Sequence, residues 1–192
     1  MTAAKRKACG YSTEESVRRT ARIVCGAGFA FCCVLGAVSH FFYEWSGGSI
    51  AAGIFFPANE SVWEHMKLVF FPFFVYCAVA LPLVPELNNR VFGAFAATYL
   101  AAATIPIVFY TYTAFTGGAV LAADISTFAA GTAAGWSAAY RAFTVRSGGA
   151  ALCAVGAVGL AAVAACCLAL TAFAPEWFLF IDPQSGKAGF QG

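Results

Sequence analysis

The sequence predicts an all-α polytopic membrane helical bundle of about five transmembrane helices, on three observations: scarce charge, apolar segments of bilayer length, and basic residues biased to one side. Of 192 residues, 61% are hydrophobic and only 10% are charged, and the mean hydropathy is +0.77. A water-soluble domain carries about 25% charged residues to keep its surface wetted. A chain this poor in charge needs lipid as solvent. The net charge of +2, with no basic-aromatic patch, excludes a nucleic-acid partner. The length allows one helical domain.

In chain order, residues 1–22 read as a cytoplasmic basic tail carrying Lys5, Arg6, Lys7, Arg18, Arg19 and Arg22. Residues 23–174 form the transmembrane domain, with spans near 23–43, 62–84, 91–114, 118–140 and 150–173, each near the ~20 residues a bilayer requires. Residues 175–192 form an extracytoplasmic tail. The apolar run after Arg22 exceeds the ~7–15 residues of a signal-peptide core and has no small-x-small cleavage site, so it reads as a signal anchor. With the N-terminus inside, nine basic residues are cytoplasmic (the six above, Arg90, Arg141 and Arg146), against Lys67 and Lys187 outside. That bias sets the topology N-in, C-out. Tyr43, Trp45, Trp63 and Trp177 then fall at outer interfaces, and Trp136 and Tyr140 at an inner one. The expected location is the plasma membrane, multi-pass. The expected partners are the lipid bilayer and a second copy or another membrane protein.

Gly131 and Gly135 make a GxxxG pair, and Gly156 and Gly159 sit among alanines; such small residues let helices approach closely in lipid. Pro72 and Pro106 fall within spans and predict kinks. The eight cysteines form no CxxC pair and read as small packing residues, not as a disulfide or zinc framework.

The chemistry concentrates outside. Glu44, Glu60, Glu64, Glu176 and Asp182 are extracytoplasmic, both His40 and His65 end spans there, and Asp124 lies ~9 Å into the fourth span. Ionisable groups at membrane depth are costly and usually face a cavity or one another, so one outer polar site is expected. His40 and Glu44 are spaced i,i+4, as on one helix face. Ser61-x-x-Glu64 is a capping box. Glu64 and Lys67, at i,i+3, suit an ion pair. Asp182-Pro183-x-x-Gly186 is a turn. Asn59-Glu60-Ser61 also matches a glycosylation sequon, but one set hard against a span, where an acceptor is sterically awkward.

His40-x-x-x-Glu44-Trp45, Pro57-x-Asn59-Glu60-Ser61-x-Trp63-Glu64-His65-x-Lys67-Leu68 and Phe180-x-Asp182-Pro183-x-x-Gly186 together resemble a domain-of-unknown-function family of small prokaryotic membrane proteins, the one numbered six-five-one-two. The resemblance runs from the first span to the tail and rests chiefly on Asn-Glu-Ser-x-Trp-Glu-His. Where that family has an aromatic residue before the last motif glycine, this chain has Ala188 before Gly189. The resemblance implies an integral membrane protein and no particular activity.

Three functions compete. In the first-ranked, a structural or accessory protein, the outer polar network clamps helices and tail. In the second, a metal-dependent hydrolase-like enzyme, His40 and His65 bind a divalent metal such as zinc with Glu44 or Asp124, and Glu64 or Glu60 is the general base. In the third, a transporter or channel subunit, Asp124 and Lys67 line a path.

Overall fold

The computed structural model describes residues 14–191, and the expected basic segment at Lys5, Arg6 and Lys7 lies outside them, as does Cys9. The described residues are mostly helical, with one isolated antiparallel bridge, Ile181 to Ala188. Five long helices carry the fold: α1 (Glu14–Ser39), α4 (Val62–Ala80), α5 (Arg90–Thr116), α6 (Leu121–Thr144) and α7 (Gly149–Ala172). Between α1 and α4, where the sequence predicts only a connector, lie two short helices, α2 (Phe42–Trp45) and α3 (Ile50–Phe55).

Among the described residues, four helical segments are long and apolar enough to cross a membrane: Glu14–Ser39, Val62–Leu83, Arg90–Thr116 and Gly149–Ala172. The fourth expected segment forms α6, whose 24 residues reach ~36 Å but are more polar. Its serine and threonine hydroxyls are satisfied within the helix: Ser126, Thr127, Thr132 and Ser137 each donate to the carbonyl four residues back. The first described helix already covers Glu14, nine residues before the expected start at 23, so Arg18, Arg19 and Arg22 ride on it.

Small residues set the packing, as their spacing predicts. A Cβ on Gly135 would sit 2.6 Å from the Ala97 carbonyl oxygen, and one on Gly131 would lie 3.0 Å from that of Ala101, so α5 and α6 touch backbone to backbone. Gly156 brings α7 against the Phe92 backbone, and Gly159 faces the Phe95 ring. Pro72 has no N–H to offer the carbonyl of Leu68, four residues earlier. That oxygen faces Gly36 of α1, where a Cβ would come within 2.5 Å. The indole of Trp136 stacks on Phe73 at 4.9 Å between centroids and lies over Gly28, where no larger residue fits. All described cysteines are free thiols.

Successive long helices alternate in direction, which gives the bundle two unlike ends. Asn89 before α5 donates to the Ala142 carbonyl in the last turn of α6 and to the Arg146 carbonyl beyond it, and accepts from Gly148 N–H, while Arg22 of α1 shares a cavity with Arg141 of α6. Arginines therefore gather at this end. His40, the α2–α3 segment, the start of α4, Asp124 and the C-terminal tail occupy the other.

Candidate metal centre and its scaffold

The functional residues divide by what they touch. Ser61 caps α4, its hydroxyl oxygen accepting the Glu64 N–H at 3.4 Å. Glu64 does not return to the Ser61 amide, as a full capping box would require. It is buried, and its Oε2 accepts from Ala58 N–H at 2.8 Å and from Lys67 Nζ at 2.7 Å. Lys67 is equally buried and also donates to the Gly53 carbonyl of α3 at 2.7 Å. The i,i+3 pair thus pins the α3 segment to α4. Burying two charges is costly unless they are paired and hydrogen-bonded, and here Nζ has two acceptors and Oε2 two donors. That leaves Glu64, one of the two expected general bases, occupied in scaffolding.

The tail is tied to the same helix start. Trp63 N–H donates to Leu179 C=O at 3.0 Å, its indole packs on Phe180 at 5.0 Å, and its Nε1–H reaches Thr171 Oγ1 at 3.4 Å. Asn59 accepts the Ser61 N–H and donates to the Gly189 carbonyl, so both ends of the sequon amide are engaged. An aromatic contact from the tail comes from Phe190, whose ring sits with Tyr43 over Gly53. Asp182 is buried and organises the turn, accepting from Gln184 N–H at 2.9 Å and from the Ser185 hydroxyl at 2.7 Å. Its burial acts to raise its pKa, but the Gln184, Ser185 and Glu60 donors outweigh burial and hold the carboxyl below the usual range.

On this scaffold three side chains converge. His40 follows the last turn of α1, Glu60 precedes the α4 cap, and His65 stands one turn into α4. Glu60 Oε1 lies 3.7 Å from His40 Nε2, and Oε2 lies 3.4 Å from His65 Nε2. The imidazole centroids are 5.4 Å apart, edge to face. One ligand atom from each of the three residues falls within 4.8 Å of the others. His65 Nδ1 is 2.9 Å from the Ser61 carbonyl oxygen, which can only accept. The proton therefore sits on Nδ1, and Nε2 presents a lone pair to the carboxylate unless the ring is cationic. Two acceptors face to face need a proton or a cation between them. A backbone carbonyl on the far ring nitrogen is also the partner that orients metal-ligating histidines.

Glu44 and Asp124, the carboxylate ligands expected from sequence, are elsewhere. The helix breaks at His40–Phe41, so Glu44 belongs to the separate α2 and is exposed; the i,i+4 face does not exist. Asp124 accepts the Tyr112 hydroxyl at 2.5 Å and is outside the three-residue group. It does line, with Glu60, His65, Thr127 and Gln184, a cavity of about 220 Å³ beside that group. Glu60, expected as a base, instead stands between the imidazoles. A signal for this was present: Glu60 lies just before the N-cap, where a side chain leaves the helix axis and can reach back to the first turn.

A family model described as a family of unknown function, DUF6512, matches residues 14–190. No curated protein and no solved structure is similar enough to count as a match. The chain belongs to the DUF6512 family.

Proposed function

We propose that this DUF6512 protein is a multi-pass membrane protein holding a divalent cation, zinc by its donor set, on His40 Nε2, His65 Nε2 and the Glu60 carboxylate. The observation that supports this most strongly is the lone pair of His65 Nε2, oriented by the Ser61 carbonyl and turned toward Glu60. Two imidazoles and a carboxylate are a recurrent set for catalytic zinc, which keeps its fourth position for water. Bond lengths of ~2.0–2.1 Å put tetrahedral donors about 3.3 Å apart, so the three ligand atoms, within 4.8 Å of one another in this structure, would draw closer around a bound ion. A bound metal would supply a Lewis acid and a water acidified to a pKa of about 7. Asp124, on the wall of the adjoining cavity, is the carboxylate available to such a water, which makes a hydrolase-like reaction the enzymatic reading. The topology that goes with it has five spans, α6 included, N-in and C-out in the plasma membrane. The alternation of the long helices and the arginine-rich end support that orientation.

The accessory reading is favoured by a different observation: Glu64, Lys67, Asn59, Trp63 and Asp182 all spend their polar groups joining loop, helix and tail. Metal analysis separates the two. Protein prepared with excess zinc and then desalted should retain about one zinc per chain, and His65→Ala or Glu60→Gln should lose it while Glu44→Gln keeps it. Folded wild-type protein without stoichiometric metal would refute the metal centre and leave the clamp.

A further inference from the structure

The opposite end of the bundle carries a second feature, independent of the metal reading. Arg22, three residues before Cys25 on α1, and Arg141, in the last turn of α6, border one open cavity of about 760 Å³. Both arginines are exposed, and neither pairs with a carboxylate among the described residues. Tyr140 lines the same cavity, and its hydroxyl makes no hydrogen bond with the described residues. Away from the guanidiniums the lining becomes apolar, through Phe29 on α1 and Ala133 on α6. Because the helices are antiparallel, both basic residues lie at one mouth. The trough from Arg22 to Phe29 then follows α1 for ~10 Å toward the middle of the bundle.

We infer that this cavity binds one anionic phospholipid, with its phosphate on Arg22, Arg141 and Tyr140 and an acyl chain in the Phe29–Ala133 trough. Guanidiniums present planar forks of donors that match phosphate oxygens. Two of them converging from separate helices, with no acidic partner, leave a concentrated positive charge that a phosphate diester neutralises. Basic pockets between membrane helices recur as anionic headgroup sites on the cytoplasmic side. Free phosphate satisfies the arginines but leaves the trough bare, and a zwitterionic lipid brings a choline cation to the arginine mouth. The anionic diacyl lipid alone matches both halves.

The test is native mass spectrometry of the full chain in neutral detergent with dioleoyl phosphatidylglycerol or dioleoyl phosphatidylcholine, alongside thermal unfolding. Phosphatidylglycerol should remain bound as a single adduct and raise the unfolding temperature, with at least tenfold weaker retention of phosphatidylcholine. The double variant Arg22→Gln/Arg141→Gln should lose that preference tenfold or more while unfolding like wild type in lipid-free detergent. Tyr140→Phe should weaken it by a smaller factor. Arg18→Gln/Arg19→Gln, outside the cavity, should keep it. Equal retention of the two lipids, loss of the preference in the Arg18/Arg19 control, or unchanged retention in the Arg22/Arg141 variant would each overturn the site. Inorganic phosphate reproducing the full stabilisation would overturn the lipid as its occupant.

Discussion

Removing the Lys67 ammonium strands a buried carboxylate, and the size of that effect follows from the contacts. In Lys67→Met, Glu64 keeps only the Ala58 N–H, and the Gly53 carbonyl loses its donor. Breaking a buried pair on one side costs about 3–5 kcal/mol, mostly the uncompensated charge. For a chain of about 150–250 residues, 1 kcal/mol shifts the melting temperature by ~2–4 °C, so the variant should melt roughly 6–20 °C lower. Glu64→Gln alone should fall in the same range, because it leaves the ammonium unneutralised. In the double variant Glu64→Gln/Lys67→Met, no charge is left buried: the new side-chain amide oxygen still accepts from Ala58, and the groups that lose or lack partners, the Gly53 carbonyl and the amide NH2, are neutral, at about 1–3 kcal/mol for each left unsatisfied. The double variant should therefore be more stable than Lys67→Met. The assay is tryptophan-fluorescence melting of the four proteins in one detergent. Strictly additive losses, or a shift under about 2 °C in Lys67→Met, would refute the claim that this pair staples α3 to α4.

Other perturbations address separate contacts. The Asp182 carboxyl is held below its usual range, so its charge stabilises the docked tail above the unfolded pKa of about 3.9. That stability is lost as pH falls through the lower folded value. Wild type should thus lose more stability than Asp182→Asn between about pH 5 and the acid limit, and parallel curves would refute the role of the turn. Gly135→Val forces methyl groups against the Ala97 carbonyl and the Phe73 ring; an overpacking loss of about 1–3 kcal/mol is expected, read as a lower melting temperature, whereas Gly117→Ala, in open space at φ 75°, should cost only about 1 kcal/mol of backbone strain. Asn59→Ala removes hydrogen bonds to Ser61 and Gly189. It should lower stability by about 1–3 kcal/mol and speed proteolysis of the tail.

Much of this architecture was determined by the sequence alone, because lipid imposes simple rules. Scarcity of charge and apolar runs of bilayer length require helices, and the expected segments fall on the long helices with shifted ends. The α5–α6 contact at Gly131 and Gly135 was legible because only small residues permit backbone approach. The Glu64–Lys67 pair was legible because i,i+3 neighbours share a helix face whatever surrounds them. What spacing could not decide was contact across a break in the helix or between distant segments. His40 and Glu44 are four residues apart, yet the turn at His40–Phe41 separates them, and Glu60, twenty residues away, becomes the carboxylate between the histidines. Likewise, the Asp182 turn could be read locally, but not the docking of the tail on α4 through Trp63 N–H and Leu179 C=O. A hydrogen bond between segments depends on where the bundle brings their ends together. Periodicity determined the helices; the tertiary structure alone decided which polar side chains meet.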